Sequence, residues 1–208
     1  MQIGDYVVHI VDDEEPVRKS LAFLLTMAGF AVRVHESATS FLTAATAPGF
    51  GRACLVTDLR MPDMSGVDLL ERLGTADAMV PAVVISGHGD VPMAVAAMKA
   101  GALDFIEKPF QDDVLIEAIQ RAAERISETP GKGDDAVAIR ARHAQLTDRE
   151  RQVLAAVVAG MPNKTIAYDL DISPRTVEVH RANVMAKMQA RSLPELVRMA
   201  LAAELTNS

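Results

Sequence analysis

The chain has 208 residues, of which half are hydrophobic and only 4% aromatic, with no tryptophan. It is long enough for two compact domains of ordinary composition. The single cysteine, Cys54, excludes an internal disulfide and is typical of a reducing cytosol. The first residues lack the features of a signal peptide, and no apolar run approaches transmembrane length, so we expect a cytoplasmic protein without membrane association.

The net charge of -7 is unevenly distributed along the chain. Residues 1–126 contain 10 Lys and Arg against 18 Asp and Glu, whereas residues 140–208 contain 10 against 7. An acidic segment joined to a mildly basic one indicates two domains with different tasks.

Short apolar runs alternate with amphipathic helical patterns through residues 1–125. The predicted strands cover residues 6–11, 31–34, 55–58, 82–85 and 103–106, and the predicted helices residues 16–28, 37–45, 65–73, 91–100 and 112–125. This alternation predicts an α/β domain with a five-stranded, doubly wound parallel sheet and right-handed crossovers.

Reactive side chains follow four of these strands. In chain order they are Asp12 with Asp13, then Asp58, Ser86 and Lys108. Because the carboxyl ends of parallel strands meet at one edge of a sheet, we expect these side chains to share a pocket. A set of helix-capping acids with a surface lysine is the alternative interpretation.

The chemistry of such a pocket favours phosphoryl transfer. Crowded carboxylates require a cation, and hard oxygen ligands suit Mg²⁺, which also binds phosphate oxygens. Lys108 and Ser86 can contact further phosphoryl oxygens. Asp58 is then the predicted nucleophile, attacking phosphorus to form an aspartyl phosphate.

The clearest break in composition lies at residues 127–135, which are polar and rich in Gly and Pro. We therefore predict a first domain over residues 1–125, a linker over 126–142 and a second domain over 143–208. An internal loop of a single domain is the alternative.

The second domain is predicted to contain four helices. A capping-box pattern opens the first at Thr147, a short helix follows at residues 163–170, Ser173 caps the third, and a second capping-box pattern, Ser192 to Glu195, opens the last. Two helices joined by a tight turn are typical of a helix-turn-helix, whose second helix enters the DNA major groove.

A helical wheel of the third helix separates two faces. Val177, Val184, Met185 and Met188 form an inward stripe with Arg181 at its margin. Candidate DNA-binding residues, which combine base-reading and phosphate-contacting types, are Lys164, Arg175, Thr176, Glu178, Val179, His180, Arg181, Ala182, Asn183 and Lys187. Arg191 is a further phosphate candidate, and a plain amphipathic bundle is the alternative interpretation.

The first segment resembles the flavodoxin-like receiver domain of bacterial two-component response regulators. The resemblance rests on Asp12-Asp13, on Asp58 followed by Met61-Pro62, on Ser86 and on Lys108-Pro109. It implies Asp58 as phospho-acceptor and a Mg²⁺ site formed by Asp12, Asp13, Asp58 and the Arg60 backbone carbonyl. It also implies a cis peptide at Pro109 and a conformational switch through Ser86 and Phe105, where many relatives have Tyr.

The second segment resembles the LuxR-type helix-turn-helix through Leu146-Thr147, Arg149-Glu150, Asn163-Lys164, Ile166-Ala167 and Thr176-Val177-Glu178. Together the two segments resemble the NarL/FixJ class, and the receiver is particularly similar to its nitrogen-fixation regulators. The resemblance implies a transcriptional activator with four partners: a sensor histidine kinase, oxygen-responsive in those relatives, double-stranded DNA, RNA polymerase and a second copy of the chain. Homodimerisation after phosphorylation would involve Val91, Val95, Phe105 and Lys108.

Two other functions have to be weighed. A Mg²⁺-dependent phosphatase also uses a strand-end aspartate, but such enzymes commonly carry a second acid two residues later, where this chain has Arg60. We therefore expect no enzymatic turnover beyond slow self-hydrolysis of the acyl phosphate. A phosphorylated protein-binding or RNA-binding module is the other alternative, and salt-dependent binding to duplex DNA but not RNA would exclude it.

Overall fold

A computed structural model describes residues 6–75, 80–87, 90–127 and 132–205. Its backbone contacts divide the chain into two compact units, residues 1–89 with 100–129 and residues 90–99 with 130–208. No helix in the described part of the chain is long and apolar enough to cross a membrane.

The first unit is built on a parallel sheet in the order β2-β1-β3-β4-β5. Its strands are β1 (Val7–Val11), β2 (Ala31–His35), β3 (Ala53–Asp58), β4 (Ala82–Ser86) and β5 (Asp104–Glu107). The central strands β3 and β4 are buried almost throughout, as their unbroken apolar sequences predict. The predicted fold class is confirmed.

Helices α1 (Glu15–Met27), α2 (Ala38–Ala45), α3 (Gly66–Thr75) and α5 (Asp112–Ser127) connect and cover these strands. One buried cluster joins the sheet to α1 and α5 through residues such as Ile10, Leu25, Val56 and Leu115. Cys54 belongs to this cluster, and burial raises the pKa of its thiol to about 12, so the thiol is a structural group.

The second unit is helical. It contains α4 (Val91–Lys99), α6 (Lys132–His143), α7 (Asp148–Val158), α8 (Asn163–Asp169), α9 (Pro174–Met188) and α10 (Leu193–Ala202). Residues 132–143, which fall mostly within the predicted linker, are therefore helical, while residues 128–131 of that linker lie outside the described residues.

Helix ends in the second unit follow the capping signals of the sequence. Thr147 and Glu150 form the complete predicted capping box, and the Ser173 side chain accepts a hydrogen bond from the Thr176 amide. At α10, the Ser192 side chain accepts a hydrogen bond from the Glu195 amide, as the capping-box pattern predicts. In place of the Ser192 amide expected for a capping box, the Arg191 amide donates to the Glu195 carboxylate.

Candidate functional site

Of the side chains predicted to converge at the sheet edge, the structure brings those of Asp12, Asp58 and Lys108 together in the first unit. Lys108 Nζ lies 2.8 Å from Asp58 Oδ1 and 3.3 Å from Asp12 Oδ2. The remaining carboxylate oxygens accept backbone amides, from Arg60 to Asp58 at 2.7 Å and from Glu14 to Asp12 at 2.8 Å. The side chains of Asp12 and Asp58 are only 3% and 13% exposed, so one ammonium group balances two largely buried carboxylates.

The backbone after β3 turns sharply to hold Asp58 in place. The Gly66 amide donates to the Leu59 carbonyl at 2.9 Å, which brings the start of α3 against the end of β3. A Cβ atom on Gly66 would lie 2.6 Å from the Asp58 carbonyl oxygen. Only glycine fits this close approach.

The charges of the site perturb one another. Burial raises the pKa of Asp12, and this effect exceeds the opposing influence of the Glu14 amide and of Lys108. Burial alone would lower the pKa of Lys108, but its hydrogen bond with Asp58 and the charges of both carboxylates raise the pKa overall. Lys108 is therefore a permanent cation at neutral pH.

The oxygen ligands predicted for Mg²⁺ lie at the edge of the sheet around Asp58. Among the described residues, no three His, Cys, Asp or Glu side chains are already arranged as metal ligands, and Asp13 is exposed. The chemistry of the donors nevertheless fits a hard cation. Asp12 and Asp58 share only the one positive charge of Lys108, so one negative charge of the pair is left to attract a cation. The residues present are thus compatible with a divalent cation.

The predicted switch residues lie on β4 and β5, the two strands that follow β3 in the sheet. Ser86 is buried, and it directly follows Ile85, the residue of β4 that pairs with Asp58. The backbone carbonyl of Ser86 accepts a hydrogen bond from the Lys108 amide at 2.7 Å. Phe105 is half-buried on β5. The Lys108-Pro109 peptide bond is cis, as the resemblance implied.

The recognition face predicted for α9 is exposed. Its exposed members are Arg175, Glu178, Val179, Ala182 and Asn183, while Lys164 is exposed on α8. Val179 is 54% exposed, so its methyl groups are accessible on this face. On the opposite side Val177, Val184 and Met188 are fully buried, so the two predicted faces of α9 are both observed.

Other candidate residues on α9 are partly buried and engaged within the second unit. Lys187 Nζ lies 2.6 Å from Glu150 Oε2, and Arg181 Nη1 donates to Asn163 Oδ1 at 2.7 Å. The Thr176 hydroxyl contacts the Ser173 hydroxyl at 2.8 Å. His180 Nδ1 is buried without a hydrogen-bond partner in the described part of the chain.

The four residues predicted for dimerisation fall in both units. Val91 and Val95 lie on α4, in the second unit, and Val95 is 2% exposed. Phe105 and Lys108 belong to the first unit. A dimer contact through Val95 therefore requires that α4 become more exposed than it is here.

Several contacts of the site were not predicted from the sequence. Arg18 Nη1 donates to the Asp12 carbonyl at 2.6 Å, adding a second cation beside Asp12. His9 Nδ1 and His35 Nε2 are 2.9 Å apart in a buried aromatic cluster, three residues before Asp12. The close approach of α3 to β3 could have been predicted from Gly66 itself, because a glycine directly after the helix-capping Ser65 indicates a tight backbone contact.

Two family models match the chain. The response regulator receiver domain matches residues 8–120, and the model for bacterial regulatory proteins of the luxR family matches residues 144–200. The first covers the acidic sheet-edge site and the second covers α7 to α9 with most of α10.

Relatives of known name match almost the whole length. The transcriptional regulatory protein FixJ of Rhizobium meliloti is 71% identical over 198 residues, covering 95% of this chain and 96% of that protein. FixJ of Bradyrhizobium diazoefficiens is 49% identical over 202 residues, covering 96% of this chain and 97% of that protein.

Solved structures give the same result. The crystal structure of full-length FixJ from B. japonicum is 48% identical and matches with a TM-score of 0.56, covering 97% of this chain and 98% of that chain. The crystal structure of FixJ-N is 68% identical, with a TM-score of 0.55, and covers 58% of this chain and 95% of that chain.

Proposed function

This chain belongs to the two-component response regulators that combine a receiver domain with a LuxR-type DNA-binding domain, and from that premise we propose how its residues transmit a signal. A cognate histidine kinase phosphorylates Asp58, and the phosphorylated chain dimerises and binds specific DNA to activate transcription. Its relatives named above are transcriptional regulatory proteins rather than enzymes. The phosphatase alternative is therefore not favoured.

The observation that carries the proposal is the shared contact of Lys108 with Asp58 and Asp12. Two largely buried carboxylates and one ammonium group leave a net negative charge at the site, so a divalent cation is needed beside Lys108 before a phosphoryl group is accommodated. When a phosphoryl group is attached to Asp58, Lys108 Nζ can turn from the carboxylate to a phosphoryl oxygen. The exchange keeps the lysine paired throughout.

The transfer itself is an in-line displacement. Asp58 Oδ attacks the phosphorus of a phosphohistidine, the new P–O bond forms as the P–N bond breaks, and the imidazole leaves to take a proton from water. Lys108 and the Ser86 hydroxyl balance the charge that develops on the phosphoryl oxygens. The Arg60 amide, 2.7 Å from Asp58 Oδ2, fixes the orientation of the attacking carboxylate.

We propose Mg²⁺ as the cofactor, held by Asp12, Asp13, Asp58 and the backbone carbonyl of Arg60. When bound, the ion supplies positive charge to the phosphoryl oxygens. Because Asp13 is exposed and Asp58 is partly accessible, solvent can reach the site. Slow self-hydrolysis of the acyl phosphate follows from that access.

The output of the switch is DNA binding by α9. Ser86 and Phe105 move when Asp58 is phosphorylated, and the surface around Val91 and Val95 becomes available for dimerisation. Two α9 helices related by twofold symmetry then bind the two halves of one site, which raises affinity through effective concentration. Asn183 can pair with adenine and Val179 can contact a thymine methyl.

The remaining assignments follow from the resemblance of the two segments to the NarL/FixJ class. We propose that the chain acts in the cytoplasm, that its kinase responds to oxygen, that it contacts RNA polymerase at promoters, and that its targets are nitrogen-fixation or microaerobic genes. Its domains would be residues 1–125 and 143–208, with the linker over 126–142. Glu178 and Ala182 stand where some NarL-type relatives present lysines, so we do not carry the DNA target of those relatives over to this chain.

The test uses the full chain and Asp58→Asn. Molar mass is measured by light scattering with and without acetyl phosphate, while phosphorylation is followed by intact-mass spectrometry. We expect wild type to gain one phosphoryl group and to dimerise, and Asp58→Asn to do neither. Equal behaviour of the two proteins would refute the assignment of Asp58.

A further inference from the structure

The helix α8 is short, and arginines from two other helices hold its two ends. It has seven residues, Asn163–Asp169, which is about two turns. A helix of this length is not stable by itself in water. Its position relative to α9 therefore depends on tertiary contacts.

At its beginning, α8 has no side-chain cap, because its N-cap residue is Pro162. The contact that fixes this end comes from α9. Arg181 Nη1 donates to Asn163 Oδ1 at 2.7 Å, and the Arg181 side chain is half-buried. A charged donor with a planar, directional geometry positions its acceptor more strictly than apolar packing does.

At its end, α8 is held from α7. Arg149 Nη2 donates to the carbonyl of Leu170, the C-cap residue of α8, and Arg149 Nη1 lies 3.0 Å from Gln152 Oε1. Carbonyls at a helix end have no partner within the helix and attract cations. The guanidinium therefore satisfies the exposed end of α8.

Between these two ends, the buried face of α8 packs against apolar side chains. Ile166 and Ala167 are buried in a cluster with Val153, Val157 and Val177. Such contacts are non-directional, so they favour burial of α8 without fixing its rotation or its displacement along the cluster. The two arginines supply that missing constraint.

We propose that Arg149 and Arg181 are positioning residues for DNA binding, which fix α8 against α7 and against the recognition helix α9 while their charges stay off the phosphates. The proposal rests on the proposed DNA-binding function and changes the role predicted for Arg181. Lys164 and Arg175, which are exposed on α8 and α9, are the matched cations that would contact phosphates.

The two roles differ in the salt dependence of affinity. Each phosphate contact releases counterions, so removing one per subunit makes the slope of log K against log salt shallower by about one per subunit. Removing a positioning bond leaves the phosphate contacts in place. Affinity then falls at every salt concentration by a similar factor, about tenfold for a charged hydrogen bond, and the slope is unchanged.

The experiment compares Arg149→Met and Arg181→Met with Lys164→Met and Arg175→Met in the full chain. The probe is a duplex recovered from random-sequence DNA by selection with acetyl phosphate-treated wild type. We expect lower affinity with the wild-type slope for the first pair, and a shallower slope for the second. Circular dichroism verifies that each variant is folded.

Asn163→Ala provides a second measurement that alters no charge. It should reproduce the affinity loss of Arg181→Met, and the double variant should lose little more than either single variant, since both remove one bond. A slope shallower by about one per subunit for Arg181→Met or Arg149→Met would overturn the proposal, as would wild-type affinity in either. If wild type selected no sequence at all, the proposed function itself would fail first.

Discussion

The ion pair between Glu150 and Lys187 offers the most quantitative prediction for the second unit. Glu150 Oε2 lies 2.6 Å from Lys187 Nζ and 2.8 Å from the Thr147 amide, and the carboxylate is 5% exposed. These contacts, the lysine first, lower the pKa of Glu150 from 4.5 to about 2. The pair joins the start of α7 to the last turn of the recognition helix.

The shift gives the size of the effect. A pKa lowered from 4.5 to about 2 corresponds to about 3 kcal/mol of stability at neutral pH. Because Lys187 is 36% exposed, solvent screening reduces this to about 2 kcal/mol. Glu150→Gln keeps an acceptor for the Thr147 amide, so its expected cost at pH 7 is about 1 to 2 kcal/mol.

The sign of the pH dependence follows from the lowered pKa. The contribution of Glu150 is present above its unfolded pKa of 4.5 and is lost as the pH falls towards about 2. Wild type and Glu150→Gln should therefore differ in stability at pH 7 and converge at acid pH.

The assay is urea unfolding of the full chain at pH 7 and at acid pH. Pulsed hydrogen exchange of α9 peptides reports on the second unit alone. Glu178→Gln, an exposed glutamate on α9, is the matched control and should change stability by less than about 0.5 kcal/mol. A constant difference between wild type and Glu150→Gln across the pH range would refute the reasoning.

Three further predictions concern the first unit. Lys108→Met removes the cation that meets the phosphoryl group and should slow labelling of Asp58 by acetyl phosphate about 100-fold, as measured by intact mass. Gly66→Ala should cost about 1 to 3 kcal/mol in urea unfolding because its Cβ meets backbone, whereas Gly74→Ala, in open space on the same helix, should be neutral or stabilising. Burial first, and then His35 and Arg33, lower the pKa of His9 from 6.5 to about 4, so thermal stability should decrease as the pH falls through that interval; a flat profile would contradict this.

The sheet and its reactive edge could be predicted because they depend on features local to each segment. Apolar runs such as the one ending at Asp58 identify buried strands, and parallel connectivity alone brings their carboxyl ends together. The two faces of α9 likewise follow from helical periodicity, and Val177 and Val179 lie on the sides predicted. These inferences need no knowledge of which residues touch.

What the sequence did not predict depends on specific tertiary partners. Periodicity placed Arg181 at the margin of α9 but could not show that Asn163, 18 residues earlier, accepts its hydrogen bond. The His9–His35 contact likewise requires the pairing of β1 with β2, which composition does not determine. Helix α6 was missed in part because its first residues are polar and contain glycine, features that also signal a linker.

The central claim is that phosphorylation of Asp58 controls binding to specific DNA. It is tested most directly by footprinting wild type and Asp58→Asn on fragments of genomic DNA before and after treatment with acetyl phosphate. The account predicts discrete protected sites, symmetric about a twofold axis, for treated wild type only. Equal protection by untreated wild type, or by treated Asp58→Asn, would contradict it.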